Sequence, residues 1–508
     1  MNKKQPHPQS KTPYFTKLKE YGESNPTPFD VPGHKLGRID NEMMEYVGHN
    51  TFKLDANAPR GLDNLSKPTG VLKEAQDLMA EAFGADRAYF LTNGTTQGIL
   101  AVIMSEVRAN QKILLPRNVH KSVINGLILS GAIPVFMKPN IDHTLGIANG
   151  ISFETVKEAI LENPDAKALF LINPTYFGVV SDLGSIIELA HEHDIKVIVD
   201  EAHGGHFYFS NLLPVGAMRA GADYAIVSIH KTVGSLTQSS VILSKGSRVD
   251  SARLEATLNI LNSTSPSGLL MASLDVARKY IYFNGEKKLE KLIKMANKAR
   301  NKINKIPGIE AITYDYFINK GEHGYDEARI IVKVSDLGIT GFQAYNELRD
   351  IYNIQLELAE THLVLAVLSL GTIERDLNKL VNALEKIAKK HLIENVEPIH
   401  QKTTYTEPIY YMRPREAYHS YKKHVTLEHA LNEVAAESIM VYPPGIPVVI
   451  PGEVISEEII QDLKRYIDSG STILSDSPRG VLRVVDLEKS GWEEEWNEKS
   501  WFIISKLQ

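Results

Sequence analysis

The sequence has no cysteine among its 508 residues. A chain without thiols forms no disulfide framework and no thiolate metal site, and such a composition agrees with a reducing compartment. We therefore expect the protein in the cytoplasm.

Long apolar runs are also missing from the chain. No stretch approaches the roughly 18 uninterrupted apolar residues of a membrane-spanning helix, and the lysine-containing N-terminus lacks the apolar segment of a signal peptide. Charged residues make up 23% of the chain and the formal net charge is -6. This balance matches neither a nucleic-acid-binding surface nor an extremely acidic tail. These absences favour a small-molecule partner, with no nucleic acid and no membrane.

The hydrophobic patterning indicates several structural units, because a chain of this length exceeds a single core. Residues 1–50 are interpreted as an N-terminal arm at an interface. Residues 51–284 alternate short apolar runs with helical periodicity, which predicts a large α/β domain with a mainly parallel sheet. Residues 285–395 predict a small α+β domain, and residues 396–508 predict a C-terminal α+β module. The pattern weakens near residues 393–406, which are interpreted as a linker.

A turn after the first predicted strand is a candidate anion site. In TNGTTQ (92–97), a strand gives way to a helix, so free backbone N–H groups and the hydroxyls of Thr95 and Thr96 can surround a phosphate beside Gly94. A plain helix cap is the alternative. Neither GxGxxG nor GxxxxGK[ST] occurs here, so a nucleotide site lacks support.

Three further residues lie where predicted strands end, which is where α/β sheets place their chemistry. His120 can stack on an aromatic ligand, act as an acid or base, or fill space. Asp200 ends the apolar strand KVIVD, and a buried carboxylate needs a cationic partner, a helix start or an arginine. Lys231 follows the strand AIVS. A partly desolvated lysine loses proton affinity and condenses with aldehydes.

The combination points to one cofactor. An anion cradle, a stacking histidine, a carboxylate for a ring nitrogen and an amine for an aldehyde are the parts of a pyridoxal 5'-phosphate site.

Eight stretches of the chain together form a recognisable set of motifs. They are DVPGHK (30–35), EAFGADRAYFLTNGTTQG (81–98), PRNVHKS (116–122), INPTYFG (172–178), VDEAHG (199–204), SIHKT (228–232), STSPS (263–267) and YPPGIPVVIPGE (442–453). Through these motifs the sequence resembles the Orn/Lys/Arg decarboxylase family of fold type I enzymes, in particular the short bacterial members without the N-terminal wing domain. The resemblance implies the fold type I large domain, a pyridoxal phosphate cofactor and a homodimer or higher homo-oligomer with active sites at the subunit interface.

The resemblance also implies roles for individual residues. Lys231 would form the Schiff base, Asp200 would face the pyridine nitrogen, and His120 would stack on the ring. The other implied contacts are His203 on the second face of the ring, His230 beside the Schiff base, Gly94, Thr95, Thr96 and Ser228 at the phosphate, and Ser263, Thr264 and Ser265 at the phosphate of the neighbouring subunit.

The implied reaction is decarboxylation of a basic L-amino acid in polyamine metabolism. Arginine, giving agmatine, is the first expectation, followed by lysine, giving cadaverine, and then ornithine. Asp55, Glu201 and Glu453 are candidates for the acids that face the cationic end of the substrate. Glu201 and His203 depart from the large family members, which carry a small residue and a tryptophan there.

Three other functions are possible on these residues. An aminotransferase of the same fold would need an arginine for the substrate carboxylate, and Arg329, Arg349 and Arg375 are available by position. A catalytically silent regulatory homologue is the second alternative, and retention of the aspartate, histidine and lysine argues against it.

An enzyme with a different cofactor is the third alternative. The run HGGH (203–206) has two histidines but no acid or thiol at a suitable spacing. We therefore expect no metal.

Overall fold

The computed structural model describes residues 7–59, 61–393, 397, 399, 408–442, 446–468, 472–478 and 480–492. Most of the predicted linker at 393–406, and residues 443–445 of the YPPGIPVVIPGE motif, lie outside the described residues.

The described residues form α-helices and strands throughout the chain. The α-helices are α1 (Pro13–Ser24), α2 (Glu42–Val47), α3 (His49–Leu54), α4 (Val71–Phe83), α5 (Gly94–Glu106), α6 (Lys121–Ser130), α7 (Phe153–Glu162), α8 (Leu183–Glu192), α9 (Ala217–Ala220), α10 (Ile229–Thr232), α11 (Ser251–Leu261), α12 (Gly268–Ile303), α13 (Tyr314–Ile318), α14 (Gly341–Asp350), α15 (Glu374–Ile393), α16 (Pro414–His419), α17 (Glu457–Asp468) and α18 (Leu487–Ser490). The strands are β1 (Arg87–Leu91), β2 (Lys112–Pro116), β3 (Ile133–Met137), β4 (Ile141–Asp142), β5 (Ile147–Ala148), β6 (Ala168–Ile172), β7 (Val179–Val180), β8 (Lys196–Asp200), β9 (Tyr224–Val227), β10 (Ser240–Ser244), β11 (Glu310–Ala311), β12 (Gly324–Tyr325), β13 (Arg329–Lys333), β14 (Leu358–Ala359), β15 (Leu363–Val367), β16 (Lys422–Thr426), β17 (Ile439–Tyr442), β18 (Ile446–Val449), β19 (Thr472–Leu474) and β20 (Val481–Val485).

A seven-stranded sheet organises the large domain, with the strand order β1-β10-β9-β8-β6-β2-β3. The pairs among β3, β2, β6, β8 and β9 are parallel, while β10 runs antiparallel to both of its neighbours. The sheet is thus mainly parallel, as the apolar strands predict.

Both faces of this sheet are buried. Along β6, Leu169 and Leu171 belong to one core cluster and Ala168 and Phe170 to another. Successive side chains of a strand point to opposite faces, so a strand covered on both sides needs an unbroken apolar run. This burial leaves only the strand ends available for polar groups.

A single helix joins the large domain to the unit that follows. Helix α12 spans 36 residues, from Gly268 to Ile303, and therefore runs through the predicted boundary between residues 284 and 285. The second unit has a four-stranded sheet in the order β11-β13-β15-β14, with antiparallel pairs. The C-terminal residues form the sheets β16-β20 and β18-β17-β19.

The N-terminal segment is fastened to helix α12 by buried polar contacts. Asp275 accepts hydrogen bonds from the backbone N–H groups of Tyr14 (3.0 Å) and Phe15 (3.2 Å). Arg278 donates to the backbone oxygen of Gln9 at 2.6 Å. The segment is anchored on the large domain, and no helix among the described residues is long and apolar enough to cross a membrane.

Candidate active site

The strand ends of the large sheet surround a cavity of about 460 Å³. Most of the residues predicted for the cofactor line it, and their order along the chain follows the loops after successive strands. These lining residues are Gly94, Thr95, Thr96, His120, Asp200, His203, Ser228, His230 and Lys231.

The start of helix α5 forms one end of the cavity. Gly94 has φ +70°, a left-handed conformation that glycine adopts without steric cost. The first N–H groups of a helix have no partner within it and carry partial positive charge. The hydroxyl of Ser228 donates to that of Thr95 at 3.2 Å. Backbone N–H groups and two hydroxyls therefore converge at a corner suited to a phosphate.

Asp200 lies in the floor of the cavity, at the end of β8, and is buried. One carboxylate oxygen accepts the N–H of Ala202 at 3.1 Å. Burial raises the pKa of Asp200, although the charge of Lys231 opposes this effect. A cation beside the carboxylate would restore its charge, and a protonated ring nitrogen is such a cation.

The amine of Lys231 is also largely withdrawn from water. Burial is the main cause that lowers its pKa, the nearby Arg329 adds to the decrease, and the carboxylates of Asp200 and Glu357 oppose it. Its Nζ lies 2.9 Å from Nε2 of His203 and 5.3 Å from the centre of the Tyr176 ring. A lysine in such a site is deprotonated more easily and becomes a nucleophile.

His120 and His230, which line the same cavity as this lysine, have defined hydrogen bonds. Nδ1 of His120 accepts the N–H of Ser122 at 3.2 Å, and burial lowers the pKa of His120 to about 4. Its ring is therefore neutral near pH 7 and free to stack. Nδ1 of His230 donates to the backbone oxygen of Ser239 at 2.9 Å. Nε2 is therefore the nitrogen of this ring that can take up or release a proton.

Two of the predicted substrate acids do not reach the cavity. Glu201 points to the opposite side of the backbone from Asp200, where it accepts hydrogen bonds from the hydroxyl of Tyr208 and from the N–H of Ala217 at 2.8 Å. Glu453 is buried against Arg117, with N–O distances of 2.8 and 2.9 Å. Both carboxyls are occupied inside the protein, so the prediction that they face the substrate is not supported by their position.

The remaining predicted residues lie away from the cavity within this chain. Asp55 is half-buried and lies 3.1 Å from Nε2 of His34. The predicted contacts to a neighbouring phosphate, Ser263, Thr264 and Ser265, are exposed.

Three residues around this site are not predicted by the sequence patterns. Tyr176 lies in the motif INPTYFG, and its ring centre is 4.3 Å from that of His203. Glu357 precedes a short strand of the second unit, and no local pattern marks it. The sequence offers Arg329 only as a candidate for a substrate carboxylate, whereas it donates to Nδ1 of His203 at 3.1 Å.

The histidines of HGGH have partners other than a metal. His203 contacts Lys231 and Arg329, and Nε2 of His206 lies 3.1 Å from the carboxylate of Asp326. In the part of the chain that the structure describes, no group of three or more histidines and acids could hold a metal ion.

Two family models match this chain, one over its large part and one over its C-terminal part. The model described as Orn/Lys/Arg decarboxylase, major domain, matches residues 12–320, and that of the C-terminal domain matches residues 398–478. The chain belongs to the Orn/Lys/Arg decarboxylase family. A relative named arginine decarboxylase, from Bacillus subtilis (strain 168), is 42% identical over 95% of this chain and 99% of its own length.

Solved structures of other enzymes share the fold of this chain. The lysine decarboxylase of Francisella novicida matches 94% of this chain and 81% of its own, with a TM-score of 0.82 and 23% identity. The serine palmitoyltransferase of Sphingomonas wittichii, at 16% identity, matches 70% of this chain and 86% of its own with a TM-score of 0.54. The large domain of this decarboxylase thus has the fold type I architecture.

Proposed function

We propose that this decarboxylase binds pyridoxal 5'-phosphate and converts L-arginine to agmatine and CO2. The observation that carries the proposal is the shared cavity in which Lys231, Asp200 and the start of α5 meet. The choice of arginine is supported by relatives named arginine decarboxylase, which match this chain over nearly its whole length at 42% identity. Lysine and ornithine are the alternative substrates.

The residues of the cavity fit this cofactor. Lys231 would bind its aldehyde group and Asp200 its ring nitrogen, with the ring between His120 and His203. Gly94, Thr95, Thr96 and Ser228 would hold its phosphate. When bound, pyridoxal phosphate supplies an electron-withdrawing ring that accepts the electrons of the bond that breaks.

The residues of the chain provide orientation and protons. The walls of the cavity must hold the bond from Cα to the carboxylate perpendicular to the ring, because this orientation selects decarboxylation. Asp200 keeps a positive charge at the ring nitrogen through its own negative charge. Nζ of Lys231 and Nε2 of His230 are the two side-chain atoms we propose to hold the proton that Cα receives.

The aminotransferase alternative finds no support in the positions of the three arginines. None of them lines the cavity. Arg329 is buried against His203 and Asp326, while Arg349 and Arg375 pair with the neighbouring acids Asp350 and Asp376 at the surface.

We also propose that the working form is a homodimer or a larger symmetric assembly. Phe29 and Tyr46, in the N-terminal segment, are 94% and 92% exposed. Val31, Ile39 and Met43 of the same segment are exposed as well, and apolar side chains exposed as a group, unlike isolated ones, are typical of a contact surface. Ser263 to Ser265 would reach the phosphate of the neighbouring subunit from their exposed position.

Release of CO2 from arginine, lysine and ornithine, measured in parallel with added cofactor, tests the proposed reaction. Arginine is expected to react fastest. If the cofactor binds and none of the three amino acids releases CO2, the proposed reaction is wrong.

Replacement of the lysine tests the cofactor site itself. Lys231→Ala is expected to lose the visible absorption of protein-bound cofactor and nearly all turnover, because Lys231 is the only lysine among the described residues that line the cavity and its amine would bind the aldehyde. The control Lys245→Ala removes a partly buried lysine that binds the backbone oxygen of Met218 at 3.3 Å, and it should retain both signals. A Lys231→Ala protein with native absorption and turnover would contradict the assignment.

A further inference from the structure

A chain of buried polar contacts runs from His206 of the large domain, through two residues of the second unit, to the amine of Lys231. His206 lies 3.1 Å from Asp326, whose carboxylate is 3.6 Å from Nε of Arg329. Arg329 reaches His203, and His203 reaches Lys231. Only the last two members line the cavity.

We propose that Arg329 is a positioning residue that fixes the tautomer of His203 and thereby holds the amine of Lys231 in its uncharged, reactive form. This inference rests on the proposed function, because it assigns a means of preparing the same lysine for an aldehyde.

The hydrogen-bond donors of Arg329 fix the state of the His203 ring. A guanidinium group only donates hydrogen bonds, and Nη2 of Arg329 lies 3.1 Å from Nδ1 of His203 and 3.1 Å from the backbone oxygen of the same residue. Nδ1 of His203 must therefore accept, and it carries no proton.

The proton of the neutral imidazole is then on Nε2. This atom lies 2.9 Å from Nζ of Lys231, so its N–H points at the lysine. An ammonium group has no lone pair with which to accept that hydrogen bond, whereas an amine has one. The geometry is satisfied only when Lys231 is uncharged.

The charges around the two groups agree with this arrangement. Burial, Lys231 and Arg329 lower the pKa of His203 well below its usual range, so the ring stays neutral. The titratable or charged groups that act on the two residues are Asp200, Glu357, Arg329, His120, His206 and His230. Asp200 and Glu357 favour the ammonium form of Lys231, and the contact with His203 opposes them.

The backbone is shaped to keep the arginine in this place. Gly178 has φ +93°, and a Cβ atom there would lie 2.7 Å from Cγ of Arg329. Arg329 and Asp326 are both fully buried, and Arg300 donates to the backbone oxygen of Arg329. Among the described residues, Nε and Nη1 of Arg329 have no hydrogen-bond partner, so the guanidinium is oriented by the two hydrogen bonds of Nη2 to His203 and by the ion pair with Asp326.

Reductive methylation of the full-length protein without cofactor tests this proposal. The uncharged amine adds to formaldehyde, water leaves, and hydride from cyanoborohydride gives the methylamine. The label on the peptide of Lys231 is quantified by mass spectrometry across a pH series, relative to exposed lysines of the same protein.

Arg329→Met removes the donor while keeping a long side chain. The pH of half-maximal labelling of Lys231 is expected to rise by about one unit, which corresponds to about tenfold slower labelling at neutral pH. Arg329→Lys retains a donor and a charge and should restore much of the native profile. A native profile in Arg329→Met would overturn the proposal.

Arg278→Met is the matched control. Arg278 is also fully buried, and it binds Gln9, Lys11 and Asp275 rather than any residue of the cavity. Its labelling profile should equal that of the native protein. An equal shift in this variant would mean that loosened packing, and not the contact with His203, changes the lysine.

A second variant covers the case in which Arg329→Met does not fold, as judged by circular dichroism. His203→Phe removes both ring nitrogens and should produce the same upward shift. An unshifted profile in His203→Phe would also overturn the proposal. Failure of the proposed reaction would appear separately, as absence of CO2 release from protein that binds the cofactor.

Discussion

Asp200 and Glu201 are neighbours in sequence but have different environments. Asp200 lines the cavity, while Glu201 is enclosed by Tyr208 and Ala217. Successive side chains at the end of a strand point to opposite faces, so two adjacent acids serve two different purposes. Their position along the chain, and not their residue type, decides which of the two acids lines the cavity.

The charge of Asp200 has a testable consequence for the rate. Asp200→Asn keeps the shape of the side chain and removes its charge, so it is expected to lower kcat by roughly two to three orders of magnitude. The measurement is CO2 release at saturating cofactor. Asp223→Asn, which changes a buried acid bound to His191 and to the N–H of Val197, is the control and should affect stability more than kcat.

The burial of Glu201 predicts a pH dependence of stability. Burial raises the pKa of Glu201 to about 8, from an ordinary value of 4.5. Between pH 4.5 and about 8, the folded protein keeps a proton on Glu201 that the unfolded chain has already released. The group therefore stabilises the fold at low pH and loses that contribution as the pH rises through this range.

Glu201→Gln has no such proton to lose. The difference in free energy of unfolding between this variant and the native protein should shift in favour of the variant as the pH is raised from 6 to 9, by an amount on the order of a few kcal/mol. The free energy of unfolding is measured with urea at each pH. A difference that does not change with pH would show that Glu201 is ionised in the folded protein.

Helix α5 connects the phosphate end of the cavity to the sheet. Its fifth residue, Gly98, lies so close to the strands that a Cβ atom would be 2.7 Å from Ile226 and 2.8 Å from Leu91. The same helix begins with Gly94 and Thr95 at the cavity. The depth at which the helix lies on the sheet therefore sets the position of the proposed phosphate site.

Gly98→Ala tests this coupling. The added methyl group is expected to push the helix outward, destabilise the protein by roughly 1–3 kcal/mol and weaken binding of the cofactor. Cofactor affinity is measured by absorbance titration. Gly184→Ala, in helix α8, is the control, because the nearest atom to its Cβ would be 3.8 Å away; equal affinities in the two variants would contradict the coupling.

The C-terminal module is attached to the large domain beside the cavity. Arg117, just after β2, binds Glu453 with two hydrogen bonds and also donates to the backbone oxygens of Pro447 (3.0 Å) and Val448 (3.2 Å). Ile446, from the same strand, lines the cavity. The module thus completes a wall of the site as well as packing on it.

Breaking this ion pair should destabilise the whole protein. Glu453→Gln removes the negative charge from this buried pair, which is expected to cost about 3–5 kcal/mol. The free energy of unfolding is measured with urea. The control is Glu255→Gln, whose partner Arg87 lies 3.1 Å away in an exposed pair and whose loss should cost less than about 1 kcal/mol. Equal losses would contradict the structural role of the buried pair.

The local sequence predicted the strands, the residues at their ends and the motifs of the family. An apolar run covered on both faces has few ways to fold, and the residue that follows it must lie at the edge of the sheet. For this reason the sequence alone predicts that four residues lie near one another, namely Thr95, His120, Asp200 and Lys231. The structure shows that all four line one cavity.

Contacts between distant parts of the chain could not be predicted in this way. The orientation of Glu201, the partner of Glu453 and the path from Arg329 to Lys231 depend on which surfaces the second unit and the C-terminal module present to the large domain. Sequence by itself determined the family, the strand-end chemistry and the candidate lysine, because these follow from local patterns. Only the tertiary structure decided which buried charges pair, because pairing depends on distances that residue types and spacing do not contain.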